Sequence, residues 1–173
     1  MEMEKNLFLQ LYFLVLLLGS TQCFANEQFI RDTCSKTRNF NLCVSTLKSD
    51  PASQNADGKG LAKIALNIEL NKVQNALKIV GDLLAKTTDP ALFKKLGTCI
   101  EEYRALTERE LPAAIKDIDS GNFGDAKQAS LDVATNADVC QNQFVSGTSP
   151  VAAQNKELDG LAPVVADIIS TLG

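Results

Sequence analysis

Cys34, Cys43, Cys99 and Cys140 restrict the fold of this chain more than any other residues. They follow an apolar leader, and an even set of thiols in an exported chain reads as disulfides rather than as a metal or redox centre. Structural zinc thiolates come as close pairs a few residues apart, a spacing these four lack. No histidine occurs among the 173 residues. That removes Ser–His and Cys–His nucleophiles, histidine metal ligands and imidazole proton shuttles together. No cofactor, no metal and no catalytic residue is expected. The expected molecule is a cross-linked scaffold that works by contact.

Residues 1–25 read as a signal peptide. Leu7 to Gly19 form an apolar run interrupted only by Gln10, shorter than the roughly 20 residues a spanning helix needs. Cys23-Phe24-Ala25 places a small residue where cleavage is expected. Cutting there discards Cys23 and leaves residues 26–173, the size of one ordinary domain. Glu2 and Glu4 outweigh Lys5 ahead of the apolar run, where a positive charge is usual. No Asn-x-Ser/Thr acceptor is present. Losing two acidic residues and one lysine takes the formal charge from −4 to −3. So mild a balance, without clustered Lys or Arg, argues against nucleic acid or an anionic membrane as partner. Two tyrosines and no tryptophan are few for a sugar-stacking site.

Beyond the leader, apolar residues recur at helical spacing. Leu61, Ile64, Ile68, Val73, Leu77, Val80 and Leu84 form one stripe. Asp89-Pro90 then supplies an N-cap and a first-turn proline for a second helix through Leu96, Cys99, Tyr103, Leu111 and Ile118. Ser120 to Gly124 reads as a tight turn. The third stripe is Ala126, Ala129, Val133, Ala137, Cys140 and Phe144. Ser149-Pro150 repeats the cap signal before Val151, Leu158, Leu161, Val165, Ile168, Ile169 and Leu172. Pro112 and Pro163 fall inside the second and fourth segments, so a kink or break is expected at each. The stripes show no unexplained polar gap, which predicts a filled apolar core.

The pattern predicts an all-α fold, an up-down-up-down four-helix bundle over residues 60–173. Residues 26–50 read as a helical hairpin, buried through Ile30, Phe40, Leu42, Val44 and Leu47, and a polar stretch from Ser49 to Lys59 links it to the bundle. Cys99 and Cys140 lie on the apolar stripes of antiparallel neighbours. Of the three pairings that four cysteines allow, Cys34–Cys43 with Cys99–Cys140 is therefore expected.

The segment Cys34-Ser-Lys-Thr-Arg-Asn-Phe-Asn-Leu-Cys43, with Leu47-Lys-Ser-Asp50-Pro51 after it, resembles the N-terminal hairpin of plant invertase and pectin methylesterase inhibitors. Ala56-Asp57 and Gly60-Leu61-Ala62 resemble that family's entry into its first bundle helix. Cys99 with Tyr103, and Cys140 with Phe144, resemble its second cysteine pair. The resemblance spans essentially all of residues 26–173. It implies the same two disulfides and a secreted inhibitor of the apoplast (cell wall) or the vacuole. The implied partner is pectin methylesterase or a cell-wall or vacuolar invertase, held one-to-one in its substrate cleft without covalent chemistry.

Invertase inhibitors of the family tend to carry Pro-Lys-Phe in the turn between the second and third bundle helices, with the aromatic entering the invertase cleft. Here Gly121, Asn122 and Phe123 occupy that turn, so the aromatic remains while the cation and the proline are missing. Leu111 to Ile115 and Ser149-Pro150 resemble segments common among invertase inhibitors. Pectin methylesterase inhibitors lie with their helices across the substrate groove. The corresponding polar face here comprises Asp117, Asp119, Lys127, Gln128 and Asp132. The missing Pro-Lys tips the reading slightly toward pectin methylesterase, with invertase nearly level. Glu101, Glu102, Glu108 and Glu110 are the densest acidic cluster, but their spacing spreads them around a helix with no aromatic platform, unlike a glycosidase pair. The alternative from another class is a secreted four-helix signalling protein or small-ligand carrier.

Overall fold

The structure, a computed structural model, describes residues 26–145 and 148–173. The expected signal peptide lies outside the described residues. A first helix, α1, covers 26–34, and α2 covers Phe40–Lys48. A 3₁₀ turn, Pro51–Asn55, then leads to α3, Gly58–Leu84. Next come α4 (Pro90–Ala105), a π turn (Leu106–Glu110), α5 (Leu111–Ser120), α6 (Phe123–Gln141) and α7 (Ala152–Ser170).

Local chemistry sets most of these boundaries. Asn39, Asp57 and Asp89 cap α2, α3 and α4 by accepting the backbone N–H of Leu42, Gly60 and Ala91 at 3.1, 2.8 and 2.8 Å. Gly121 ends α5 at φ 82°, a left-handed conformation that costs glycine little. Asn122 N–H bonds the Asp117 carbonyl and Gly121 N–H that of Ile118, the paired bonds of a Schellman stop. The Ser149-Pro150 signal misplaces the start of α7: Ser149 Oγ accepts the Val151 N–H at 3.3 Å, and the helix begins only at Ala152. Ser149 closes a turn instead of capping the helix.

The two internal prolines behave differently. Ahead of Pro112 the Leu111 N–H reaches back five residues to the Leu106 carbonyl. This wider turn re-registers the backbone where proline would otherwise crowd it, so α4 and α5 run on from one another through a π turn. Pro163 produces no break, because α7 is continuous from Ala152 to Ser170. The carbonyl deprived of its donor belongs to Asp159, an exposed residue that water can reach.

Cross-helix pairs fix the topology. Gly58 lies beside Leu172, and Lys72 pairs with Glu157, so α3 and α7 are antiparallel. Lys63 pairs with Asp119 and Gly81 lies beside Ile100, so α3 runs antiparallel to α4 and α5. The Cys99–Cys140 bridge, Cα–Cα 4.6 Å, together with the turn that brings Asn122 to Asp117, makes the α4–α5 element antiparallel to α6. Gln141–Asn155 and Ser130–Ala162 contacts do the same for α6 and α7. The result is the up-down-up-down bundle, with α4 and α5 acting as one long element. Cys34–Cys43, Cα–Cα 5.5 Å, closes the hairpin as expected.

The hairpin is pinned to α7 by Arg38. Its backbone N–H and Nε both donate to Asp167 Oδ2 at 2.9 Å, and a terminal guanidinium nitrogen donates to Oδ1 at 3.0 Å. These bonds hold the Asp167 carboxyl below the usual carboxylate range. A depressed carboxylate stabilises above its unfolded value, about 3.9, and that contribution disappears as pH falls through the lower folded value. Arg38 is largely exposed, so the effect is that of a screened pair, about 1 kcal/mol. Asp167→Asn should speed amide exchange over 35–50 about fivefold while bundle protection stays unchanged; hydrogen-exchange mass spectrometry reads both.

The core departs from the expected stripes in one respect. Leu61, Val73 and Val80 are buried, but Ile64, Ile68, Leu77 and Leu84 sit at its margin. Ala62, Ala65, Leu66 and Ala76 take the central positions beside Glu69, which is 0 % exposed. Ser130 and Asn155 are buried too. The gap-free apolar stripe is thus corrected, because a small-residue stripe lets the helices approach and encloses polar side chains. Asn155 bridges three helices, accepting from the Tyr103 hydroxyl and donating to Gln141 Oε1 at 3.0 Å.

Candidate functional site

The seven sequence-expected contact residues point to three sides of the bundle, from the α5–α6 turn to the middle of α6. Asp117 and Asn122 come together where α5 turns into α6: Asn122 Nδ2 donates to Asp117 Oδ1 at 3.2 Å. Roughly two to three turns further along α6, Gln128 Nε2 donates to Asp132 Oδ1 at 2.8 Å. These four share the α5–α6 face.

Asp119 and Lys127 do not join them. Lys63 Nζ donates to both Asp119 carboxylate oxygens at 2.9 Å, and Lys59 Nζ donates to its carbonyl at 3.2 Å. Asp119 therefore turns toward α3. The Lys127 charge helps to lower the Asp167 carboxyl on α7, which places Lys127 on the other flank. Two residues along a helix are about 200° apart, and adjacent ones 100°, so one face cannot hold all five polar positions.

Glu110 belongs to this face and was missing from the expected set. Burial first, then the nearby Asp132 carboxylate, push its carboxyl up; Arg109 opposes and Glu102 adds. The signal was present in the sequence, since Glu110 precedes Asp117 by seven residues, two helical turns. In sequence Glu110 belongs to an acidic cluster that the structure divides: Glu102 acts on Glu110, while Glu108 pairs with Arg104 at 3.4 Å.

Phe123 opens α6 and is half-buried. Its ring lies beside Gly173, the last residue of the chain, and Lys59 Nζ stands 5.5 Å from the ring centroid. The aromatic covers the end of the core between the start of α3 and the end of α7. It is a lid with one exposed edge rather than a free tip. Among the described residues, no group of three or more His, Cys, Asp or Glu is placed to hold a metal. No described helix is long and apolar enough to cross a membrane. The site offers a carboxylate rim, an amide pair and an aromatic edge, all suited to contact.

The family model for plant invertase/pectin methylesterase inhibitors matches residues 28–168, from α1 almost to the end of α7. The chain belongs to that family. Its members are inhibitor proteins, and this chain is not an enzyme. A "Cell wall / vacuolar inhibitor of fructosidase 2" from Arabidopsis thaliana is 37% identical over 83% of this chain and 82% of its own length. An Arabidopsis "Cell wall / vacuolar inhibitor of fructosidase 1" is 32% identical over 80% of this chain and 66% of that relative, just under two thirds of its length. A "Pectinesterase inhibitor" from Actinidia deliciosa is 28% identical over 96% of this chain and 91% of its own. A mutant form of a pectin methylesterase inhibitor from Arabidopsis has the same fold, with TM-score 0.67 at 24% identity over 81% of this chain and 94% of that one. In this chain the two disulfides hold the hairpin closed and tie α4 to α6.

Proposed function

We propose that this protein inhibits a plant carbohydrate-active enzyme by seating against its substrate cleft, one inhibitor to one enzyme, without covalent chemistry. The observation that carries this is the family match over 28–168, which includes every helix of the bundle. The contact surface is the α5–α6 face with its turn: Glu110, Asp117, Asn122, Gln128, Asp132 and the edge of Phe123. The relatives' names place them in cell wall or vacuole, and we assign this chain to the same route of secretion.

Two observations bear on the target. The turn favours pectin methylesterase: Phe123 folds onto the core under Lys59 and Asn122 ties back to Asp117, which supports a bundle lying sideways across a groove. The second reading is invertase, favoured by 37% identity to a fructosidase inhibitor against 28% to a pectinesterase inhibitor.

Titrating purified pectin methylesterase and purified invertase separately with the protein tests both readings. Activity of one enzyme should fall with an endpoint near one equivalent. Full activity of both enzymes, or turnover of pectin or sucrose by the protein alone, would overturn the proposal. In that event retention of a lipid or other small ligand would point to the carrier alternative.

A further inference from the structure

Glu69 is the single carboxylic acid with no solvent exposure among the described residues. It sits in the middle of α3, in the buried stripe that also holds Leu66 and Val73. Its Oε1 lies 3.1 Å from Oγ of Ser130 on α6, and that Oγ lies 3.0 Å from the Ala162 carbonyl on α7. Oε2 has no partner.

Counting hydrogens decides what this arrangement requires. A serine hydroxyl carries one hydrogen, and a backbone carbonyl can only accept. When Ser130 donates to Ala162, its contact with Glu69 needs a hydrogen from the carboxyl. Neutral Glu69 completes a relay across three helices, O–H to Oγ and then Oγ–H to carbonyl. Ionised Glu69 would compete with Ala162 for the one hydrogen and leave a charge inside the core, a costly state without a cation.

No cation is supplied. On α3 itself, Lys63 and Lys72 are taken by Asp119 and Glu157. Arg109 and Glu110 precede α5; Lys127 and Asp132 lie on α6; Asp159 and Asp167 lie on α7. None of them acts on Glu69. Burial pushes its carboxyl well above the usual carboxylate range, and only the Ser130 hydroxyl pulls the other way.

We propose that Glu69 is a built-in acid sensor: protonated, it bolts α3, α6 and α7 together through Ser130 and the Ala162 carbonyl, and its ionisation as pH rises loosens the bundle. The device is independent of which enzyme the protein blocks. A carboxyl raised on folding contributes stability that is complete below its unfolded value, about 4.3, and is lost as pH rises through the folded value. Between the two, the folding constant drops about tenfold per pH unit. The absence of histidine leaves this window nearly silent otherwise. Glu27, Asp82 and Asp167 are shifted downward and act below it, and Glu110 is unchanged between the variants compared.

Urea unfolding at pH 5 and pH 7 of the wild-type protein and of Glu69→Gln tests the proposal. The glutamine amide can donate to Ser130 without ionising. The wild-type folding constant should fall as pH rises across this window, by up to about tenfold per unit, and that of Glu69→Gln by less than about threefold in all. Equal falls in both proteins, or a flat wild type, would overturn it. Should Glu69→Gln fail to fold, the ¹³C resonance of the wild-type Glu69 carboxyl gives the answer. Its titration midpoint should lie above the ordinary carboxylate range, and a midpoint inside that range would overturn the proposal.

Discussion

Replacing both Cys99 and Cys140 by alanine should lower the thermal unfolding midpoint by about 8–16 °C. The bridge joins residues 41 apart. Closing a loop of that length removes denatured-state entropy worth about 4 kcal/mol, a large share of the roughly 5–15 kcal/mol that holds an ordinary domain together. For a domain of this size each kcal/mol corresponds to about 2–4 °C. Both sulfurs are fully buried between α4 and α6, so alanine also leaves small voids that no neighbour fills. Differential scanning calorimetry of the double variant gives the shift. The matching change at Cys34 and Cys43, nine residues apart, acts within the hairpin and should show as faster local exchange before global unfolding. An unchanged midpoint in the Cys99/Cys140 variant would show that the native helix packing alone supports the bundle.

Phe123→Ala should separate the two candidate targets. If the turn tip enters an invertase cleft, Phe123 is an aromatic anchor, and its truncation should weaken inhibition about 30-fold or more. If the helices lie across a pectin methylesterase groove, the same change should cost that complex no more than a few-fold. Inhibition constants for the two enzymes, measured on one variant preparation, provide the comparison. The fold itself should tolerate the change with a loss of about 1–2 kcal/mol, since the ring is only half-buried and the full cost of Phe→Ala is reached in closed cores. Lys59 would lose the ring beneath it but keep its bond to the Asp119 carbonyl. Unaltered invertase inhibition by Phe123→Ala would remove the turn-tip mode.

The fold was largely legible because its signals are local. Asp89-Pro90 caps α4 as read, and Gly121 stops α5 in the one left-handed conformation among the described residues. Pairing of Cys99 with Cys140 followed from two stripes and one turn. Pro163 does not break α7, because helix interruption depends on whether the orphaned carbonyl can be satisfied, and that depends on which side of α7 faces water. The polar positions of α5 and α6 can be picked out in the sequence one by one, but not which of them share a side of the bundle. Asp119 pairs with Lys63 and the Lys127 charge acts on Asp167, groups on helices far away in the chain.

Periodicity, caps and cysteine spacing determined by themselves that this chain is an all-helical, doubly cross-linked bundle, because each of those signals is written within a few turns of helix. Where the polar interior lies was decided only by tertiary structure. Glu69, Ser130 and Ala162 are separated by 61 and 32 residues, and nothing in any one helix announces that they meet. An acid in a helical stripe reads as surface until the neighbouring helices close over it. Burial is a property of the assembled layers, not of the residue.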